Sequence, residues 1–139
     1  MRVVVDASVV AKWLVTEEGS DAAVRLLDSE LIVPDLMFAE VANLLWKKCQ
    51  RGEMDPATAQ IAMSWLVRFP LAIHASAPLA EAALTASREL GHPAYDCFYL
   101  VLARLSEAPL VTADRRFHAR CQAADAHEWS GRLRLLGTD

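Results

Sequence analysis

Four acidic side chains stand where a chain of alternating strands and helices would bring them together: Asp6, Glu40, Asp96 and Asp114. Asp6 ends the run Arg2-Val3-Val4-Val5, and Asp114 follows Pro109-Leu110-Val111-Thr112-Ala113. Runs rich in β-branched and apolar residues favour strands covered on both faces. In a parallel α/β sheet, ligands gather beyond the carboxyl ends of the strands. Aspartate is also a favoured helix cap, so either residue alone is ambiguous. Two strands ending the same way point to a site.

Glu40 falls in the second turn of a helix that follows Leu31-Ile32-Val33, which places it at the same edge. Its competing role is an exposed partner for Lys47, two turns on, and such pairs are worth little. Asp96 sits in Ala94-Tyr95-Asp96-Cys97-Phe98-Tyr99-Leu100-Val101-Leu102-Ala103, a helix apolar nearly all round and therefore expected to be buried. It can favour its own helix N-terminus from the first turn. A carboxylate among such neighbours is nevertheless costly unless paired, hydrogen-bonded or metal-bound.

Four carboxylates in one place raise one another's pKa and destabilise the fold, a conflict that a divalent cation removes. All-oxygen donors suit Mg²⁺ or Mn²⁺, and there is no His/Cys set of the kind zinc takes. Mg²⁺ held by a few carboxylates typically meets substrate phosphate. The matching chemistry is phosphodiester hydrolysis. Ser8 and Thr112, each two residues from a strand-end acid, are candidates to hydrogen-bond the carboxylates, beside ordinary roles in capping and strand filling. Arg115 and Arg116 adjoin Asp114 and are candidates to grip phosphates flanking the scissile bond.

The elements that position these residues are short. Ser8 is expected to cap a helix over 8–15, and Ser20 one over 21–28. Strand 31–33 closes at Pro34, and Asp35 caps a helix over 36–50. Asp55-Pro56 is a clear helix start, with the helix running to Phe69. An extended piece spans 70–75. Pro78 opens a helix to Leu90 that Gly91 stops, and Pro93 opens one to Ser106. Strand 109–112, a polar helix over 115–123 and a last strand over 133–136 complete the chain. Strands interleaved with helices argue for one α/β domain around a central parallel sheet flanked by helices.

The chain has 139 residues, of which 54% are hydrophobic, so a buried core is available and disorder is not expected. The formal net charge of −4 advertises no basic field, although an acidic site holding cations can still meet phosphates. Cys49, Cys97 and Cys121 are odd in number and lack metal-ligand spacing, which suits free thiols in a reducing compartment. No apolar run is long enough to span a membrane, and the first residues enter a strand without a signal peptide's pattern. A soluble cytoplasmic protein is expected.

Val3-Val4-Val5-Asp6-Ala7-Ser8 resembles the opening of a PIN domain. The segments Pro34-Asp35-Leu36-Met37-Phe38-Ala39-Glu40-Val41-Ala42-Asn43, His92-Pro93-Ala94-Tyr95-Asp96-Cys97-Phe98-Tyr99 and Leu110-Val111-Thr112-Ala113-Asp114 extend the resemblance in order over nearly the whole of residues 1–139. More narrowly the chain resembles the VapC toxins of bacterial type II toxin–antitoxin systems. That resemblance implies a metal-dependent endoribonuclease acting on RNA, with Asp6, Glu40, Asp96 and Asp114 as the catalytic acids and the ligands of Mg²⁺ or Mn²⁺. It also implies a homodimer neutralised by a cognate VapB-type antitoxin, docked by the helical hairpin 36–50 and 55–69 and the acidic site.

Other residues carry weaker signals. Lys47 and Lys48 end a helix, where cations are favourable in their own right. Lys12 reads as a solvated lysine, and Trp13, Trp46 and Trp65 as core. His74, His92, His118 and His127 are dispersed and receive no catalytic role. Two other functions compete with the nuclease. One is a binding module that grips RNA or a partner without cutting it. The other is a small-molecule phosphatase; enzymes that phosphorylate an aspartate often carry a second Asp two residues on, and Ser8 stands there.

Overall fold

Three adjacent valines, each with no exposed surface, make β1 (Arg2–Val5) the centre of the fold. Burying one such side chain contributes roughly 1.5–3 kcal/mol, so a strand of this kind settles only between two covering layers. The computed structural model describes residues 1–123 and 127–138, without the side chain of His127. Around β1 lie β2 (Glu30–Pro34), β3 (Ala72–His74), β4 (Leu110–Thr112) and β5 (Leu133–Leu135). All are parallel, in the order β3-β2-β1-β4-β5. The extended piece at 70–75 is thus an edge strand, and the last strand pairs with β4.

From β1 the chain passes through α1 (Ala7–Leu14) and α2 (Ser20–Arg25) to β2, then through α3 (Leu36–Gln50) and α4 (Pro56–Arg68) to β3. It returns through α5 (Ala80–Leu90) and α6 (Ala94–Ser106) to β4 on the far side of β1. α7 (Arg115–Gln122) and α8 (His127–Ser130) lead on to β5. The strands step one way from β1 to β3 and the other way from β4 to β5. β1 and β4 therefore flank the point where the order reverses, and a crevice opens at their carboxyl ends.

α6 carries much of the core: Cys97, Tyr99, Leu100, Val101, Leu102 and Ala103 are all buried. Its apolar girdle is not complete, because Tyr95 is 67% exposed and leaves one side of the first turn open to solvent. Burial pushes the Cys97 and Cys121 thiols up to about 12, so neither is a ready nucleophile. All three cysteines are free. Among the described residues no helix is long and apolar enough to cross a membrane.

Several local expectations change. Asp6, not Ser8, caps α1, accepting from the Val9 amide. Gly19, left-handed at φ 89°, occupies the cap position of α2. Ser20 instead binds the preceding turn, donating to the Val15 carbonyl and accepting from the Glu17 amide. That helix ends at Arg25, and Leu26–Asp28 tightens to 3₁₀. Ala77–Leu79 is likewise 3₁₀ ahead of α5. Asp35 makes no side-chain cap; its carboxylate accepts from the Ser76 amide and hydroxyl, and the Ser76 oxygen takes the Leu36 amide. Trp46 and Trp65 are 57% and 42% exposed rather than core, whereas the half-buried Trp13 donates to the Ala23 carbonyl at 2.8 Å.

Candidate active site

The parallel pairing of β1 with β4 sets Val5 beside Val111, so the acids that follow these strands leave the sheet side by side. Asp6 and Asp114 each cap the next helix with one carboxylate oxygen. Asp6 Oδ1 accepts from the Val9 amide at 3.2 Å, and Asp114 Oδ1 from the amides of Arg116 and Phe117 at 2.9 and 3.1 Å. Capping and a place at the sheet edge are therefore compatible in the same residue. Glu40 arrives from the second turn of α3, and Asp96 from the first turn of α6. Asp6, Glu40, Asp96 and Asp114 all line one open cleft of about 810 Å³.

Ser8 and Thr112 tie the two strand ends together. Ser8 Oγ donates to Asp6 Oδ1 at 2.5 Å and accepts from the Ala113 amide at 3.0 Å. Thr112 Oγ1 accepts from the Asp114 amide at 3.1 Å, and the Thr112 hydroxyl favours the ionised Asp6 carboxylate. Glu40 accepts from the Tyr99 hydroxyl at 2.7 Å, not from Lys47. Burial of Tyr99 keeps that phenol protonated, with its pKa raised further by the acids around it.

Burial lifts Asp6 from 3.8 to about 7; the hydroxyls of Ser8 and Thr112 and the Val9 amide oppose the shift, and Asp96 adds to it. Glu40 is also raised, first by burial and then by Asp96, against the Tyr99 bond. Asp96 is raised by burial and by Asp114, with His92 pulling the other way. Asp96 is thus the acid to which the other three couple. Among the described residues no lysine or arginine makes an ion pair with any of the four. A mutually repelling set of carboxylates, Asp6 buried and the other three half-buried, with no lysine or arginine paired to it fits a divalent metal ion.

The residue that sequence reasoning left without a role is His92. It is 8% exposed, its Nε2 lies 2.6 Å from Asp96 Oδ2, and its ring stacks on Phe117 with centroids 4.5 Å apart. Suitable ligand atoms of His92, Asp96 and Asp114 lie within 4.8 Å of one another. The signal was present in the sequence: a histidine four positions before the acid, with Gly91 (φ 62°) ending one helix and Pro93 preceding the next. Such a partner orients a carboxylate, and its loss typically costs roughly 10–100-fold in metal affinity. His92→Ala is expected to raise the Mn²⁺ concentration for half-maximal activity by at least about ten-fold. Titration of activity against Mn²⁺ checks this.

The same cleft is also lined by Lys12, Lys47 and Lys48, together with Glu17 and Asn43. Lys12 is not simply solvated, since its side chain is only 16% exposed and paired with Glu17. A second groove of about 580 Å³ shares Asp96 and Asp114 with the first and is lined by His92, Arg116 and Arg120. Arg115 is exposed and lines neither.

A five-stranded parallel sheet with acids gathered at its switch point defines the class, and the PIN domain model matches residues 3–122. The chain belongs to the PIN domain family. It is 36% identical over 120 residues to Ribonuclease VapC3 of Pyrobaculum aerophilum, covering 84% of this chain and 92% of that protein. The crystal structure of PAE2754, also from Pyrobaculum aerophilum, superposes with a TM-score of 0.69 at 27% identity, covering 86% of this chain and 79% of that one. Mycobacterium tuberculosis VapC20, a sarcin–ricin loop cleaving toxin, shares the fold at a TM-score of 0.66 and 18% identity, covering 84% and 93%.

Proposed function

We propose that this protein is a divalent-metal-dependent endoribonuclease, the toxin of a type II toxin–antitoxin pair. The observation that carries the reading is the convergence of four carboxylates, none paired with a lysine or arginine among the described residues, in a cleft that three lysines also line. The similarity to a named VapC ribonuclease over 84% of the chain supports RNA as the substrate. Asp6, Glu40, Asp96 and Asp114 would hold Mg²⁺ or Mn²⁺. When bound, the ion supplies a Lewis acid that acidifies water and neutralises charge on the phosphate.

The chain's own residues do the rest. Ser8 and Thr112 hold Asp6 in place, Tyr99 holds Glu40, and His92 holds Asp96, so the donor set is oriented before substrate arrives. The lysines lining the cleft attract the RNA backbone, and Arg116 meets the strand along the second groove beside Asp114. Arg115, exposed beside Arg116 at the start of α7, is a further candidate to grip a phosphate flanking the scissile bond.

A VapB-type antitoxin and a second copy of the chain are the partners this reading implies, in the cytoplasm. The apolar side chains of α3 and α4 that face solvent, Trp46, Ile61 and Trp65, support the hairpin as the docking face. Induced expression is expected to arrest growth and fragment cellular RNA, and Glu40→Gln at equal protein level to do neither. Arrest that persists in Glu40→Gln without RNA fragments would instead favour a module that binds without cutting.

A further inference from the structure

Lys12 of α1 and Lys48 of α3 reach the same carboxylate, that of Glu17 in the turn after α1. Lys12 Nζ lies 3.3 Å from Oε1, and Lys48 Nζ 3.3 Å from Oε2. Their side chains are 16% and 22% exposed, well covered for lysines. Lys12 is fixed further: Nζ donates to the Glu18 carbonyl at 2.6 Å, and a Cβ at Gly19 would lie 3.3 Å from Lys12 Cδ and Cε. The turn itself is held by Ser20, whose hydroxyl takes the Glu17 amide. All three charged residues line the cleft that contains the four acids.

Two ammonium groups converging on the two oxygens of one anion is the arrangement that also receives two non-bridging oxygens of a phosphodiester. A phosphate entering the cleft therefore competes with the Glu17 carboxylate, itself 32% exposed, for the same two ammonium groups. We propose that Lys12 and Lys48 form a backbone-phosphate subsite for the RNA strand beside the scissile bond, and that Glu17 is the stand-in anion occupying it in the free protein. The assignment rests on RNA being the substrate. A purely structural role for the trio, pinning the turn to α3, predicts the opposite response to removal of Glu17.

Binding of a labelled single-stranded RNA oligonucleotide is measured by fluorescence anisotropy across a salt series, in the full chain carrying Asp96→Asn so that strand scission does not intervene. Glu17→Gln is expected to tighten binding about 3–10-fold, by removing the competing charge. Lys12→Met and Lys48→Met should each weaken it and flatten the dependence of log K on log salt by about 0.7. Lys48→Arg should keep the slope. Equal or weaker RNA binding by Glu17→Gln, or unchanged slopes in both methionine variants, overturns the subsite. If that happens while the unmutated chain still cuts RNA, the nuclease reading stands and only the subsite is lost. No RNA binding by the Asp96→Asn chain, together with no cleavage by the unmutated one, removes both.

Discussion

Asp96→Asn is expected to lower Mn²⁺-dependent RNA cleavage by about a hundred-fold or more, because removing only an outer-shell partner of a metal ligand already costs roughly 10–100-fold. The effect is placed at Asp96 because the other three acids meet there. Its charge raises Asp6 and Glu40, and Asp114 in turn raises it. The substitution keeps the shape and leaves an oxygen or amide for His92 to meet, so the fold is retained. With one negative charge fewer in the cleft, the metal-free protein should melt no lower than the unmutated chain. Cleavage rates at saturating Mn²⁺, set beside thermal melting of the same samples, separate lost chemistry from lost structure.

The second large effect is on stability and runs against the usual behaviour of aspartates. Asp6 has its pKa raised in the folded state, from 3.8 to about 7, chiefly by burial. The folded chain therefore holds this proton more tightly than the unfolded chain does. Stability from this group is complete below about pH 4, falls as pH rises through about 7, and is then level. A shift of that size bounds the loss at about 4 kcal/mol. Asp6→Asn removes it: an asparagine oxygen can still accept from Ser8 and Val9 without carrying charge.

In metal-free buffer at pH 8, Asp6→Asn is accordingly expected to be more stable than the unmutated protein by on the order of 2–4 kcal/mol, and equal to it near pH 4. Added Mn²⁺ should reverse the order at pH 8 by stabilising only the intact site. Chemical denaturation at the two pH values, with and without Mn²⁺, checks all four corners.

How much of this was legible in the sequence depends on the range over which each feature is determined. Asp6 and Asp114 were readable because a valine-rich or apolar strand and its terminal acid are contiguous, and the strand alone fixes which edge the acid reaches. Glu40 and Asp96 needed one further step, the helical turn that follows a strand or a proline. The end of the helix at 36–50 and the start of that at 94–106 are clear for the same reason, being marked by Gly52 and Pro93, whereas the latter helix ends on the left-handed Glu107.

What failed was contact between distant segments. Ser8 and Asp6 are equally good caps by type, and only the approach of the Ala113 amide draws the Ser8 hydroxyl away from that role. Asp35 loses its cap to Ser76 because β3 carries that serine alongside it. The pairing of Lys12 and Lys48 through Glu17 depends on how α1 lies against α3, which no local pattern encodes. Trp46 and Trp65 looked like core because an aromatic on a helix usually is; that they face outwards follows from the small share of the α3–α4 hairpin that the sheet covers.

The most direct measurement is cleavage of a defined single-stranded RNA by the purified protein in Mn²⁺, in excess chelator, and in chelator overcome by further Mn²⁺. Convergent acids that depend on a cation predict cutting in the first and third conditions and none in the second. Equal cutting in chelator, or none in any divalent metal, would contradict them.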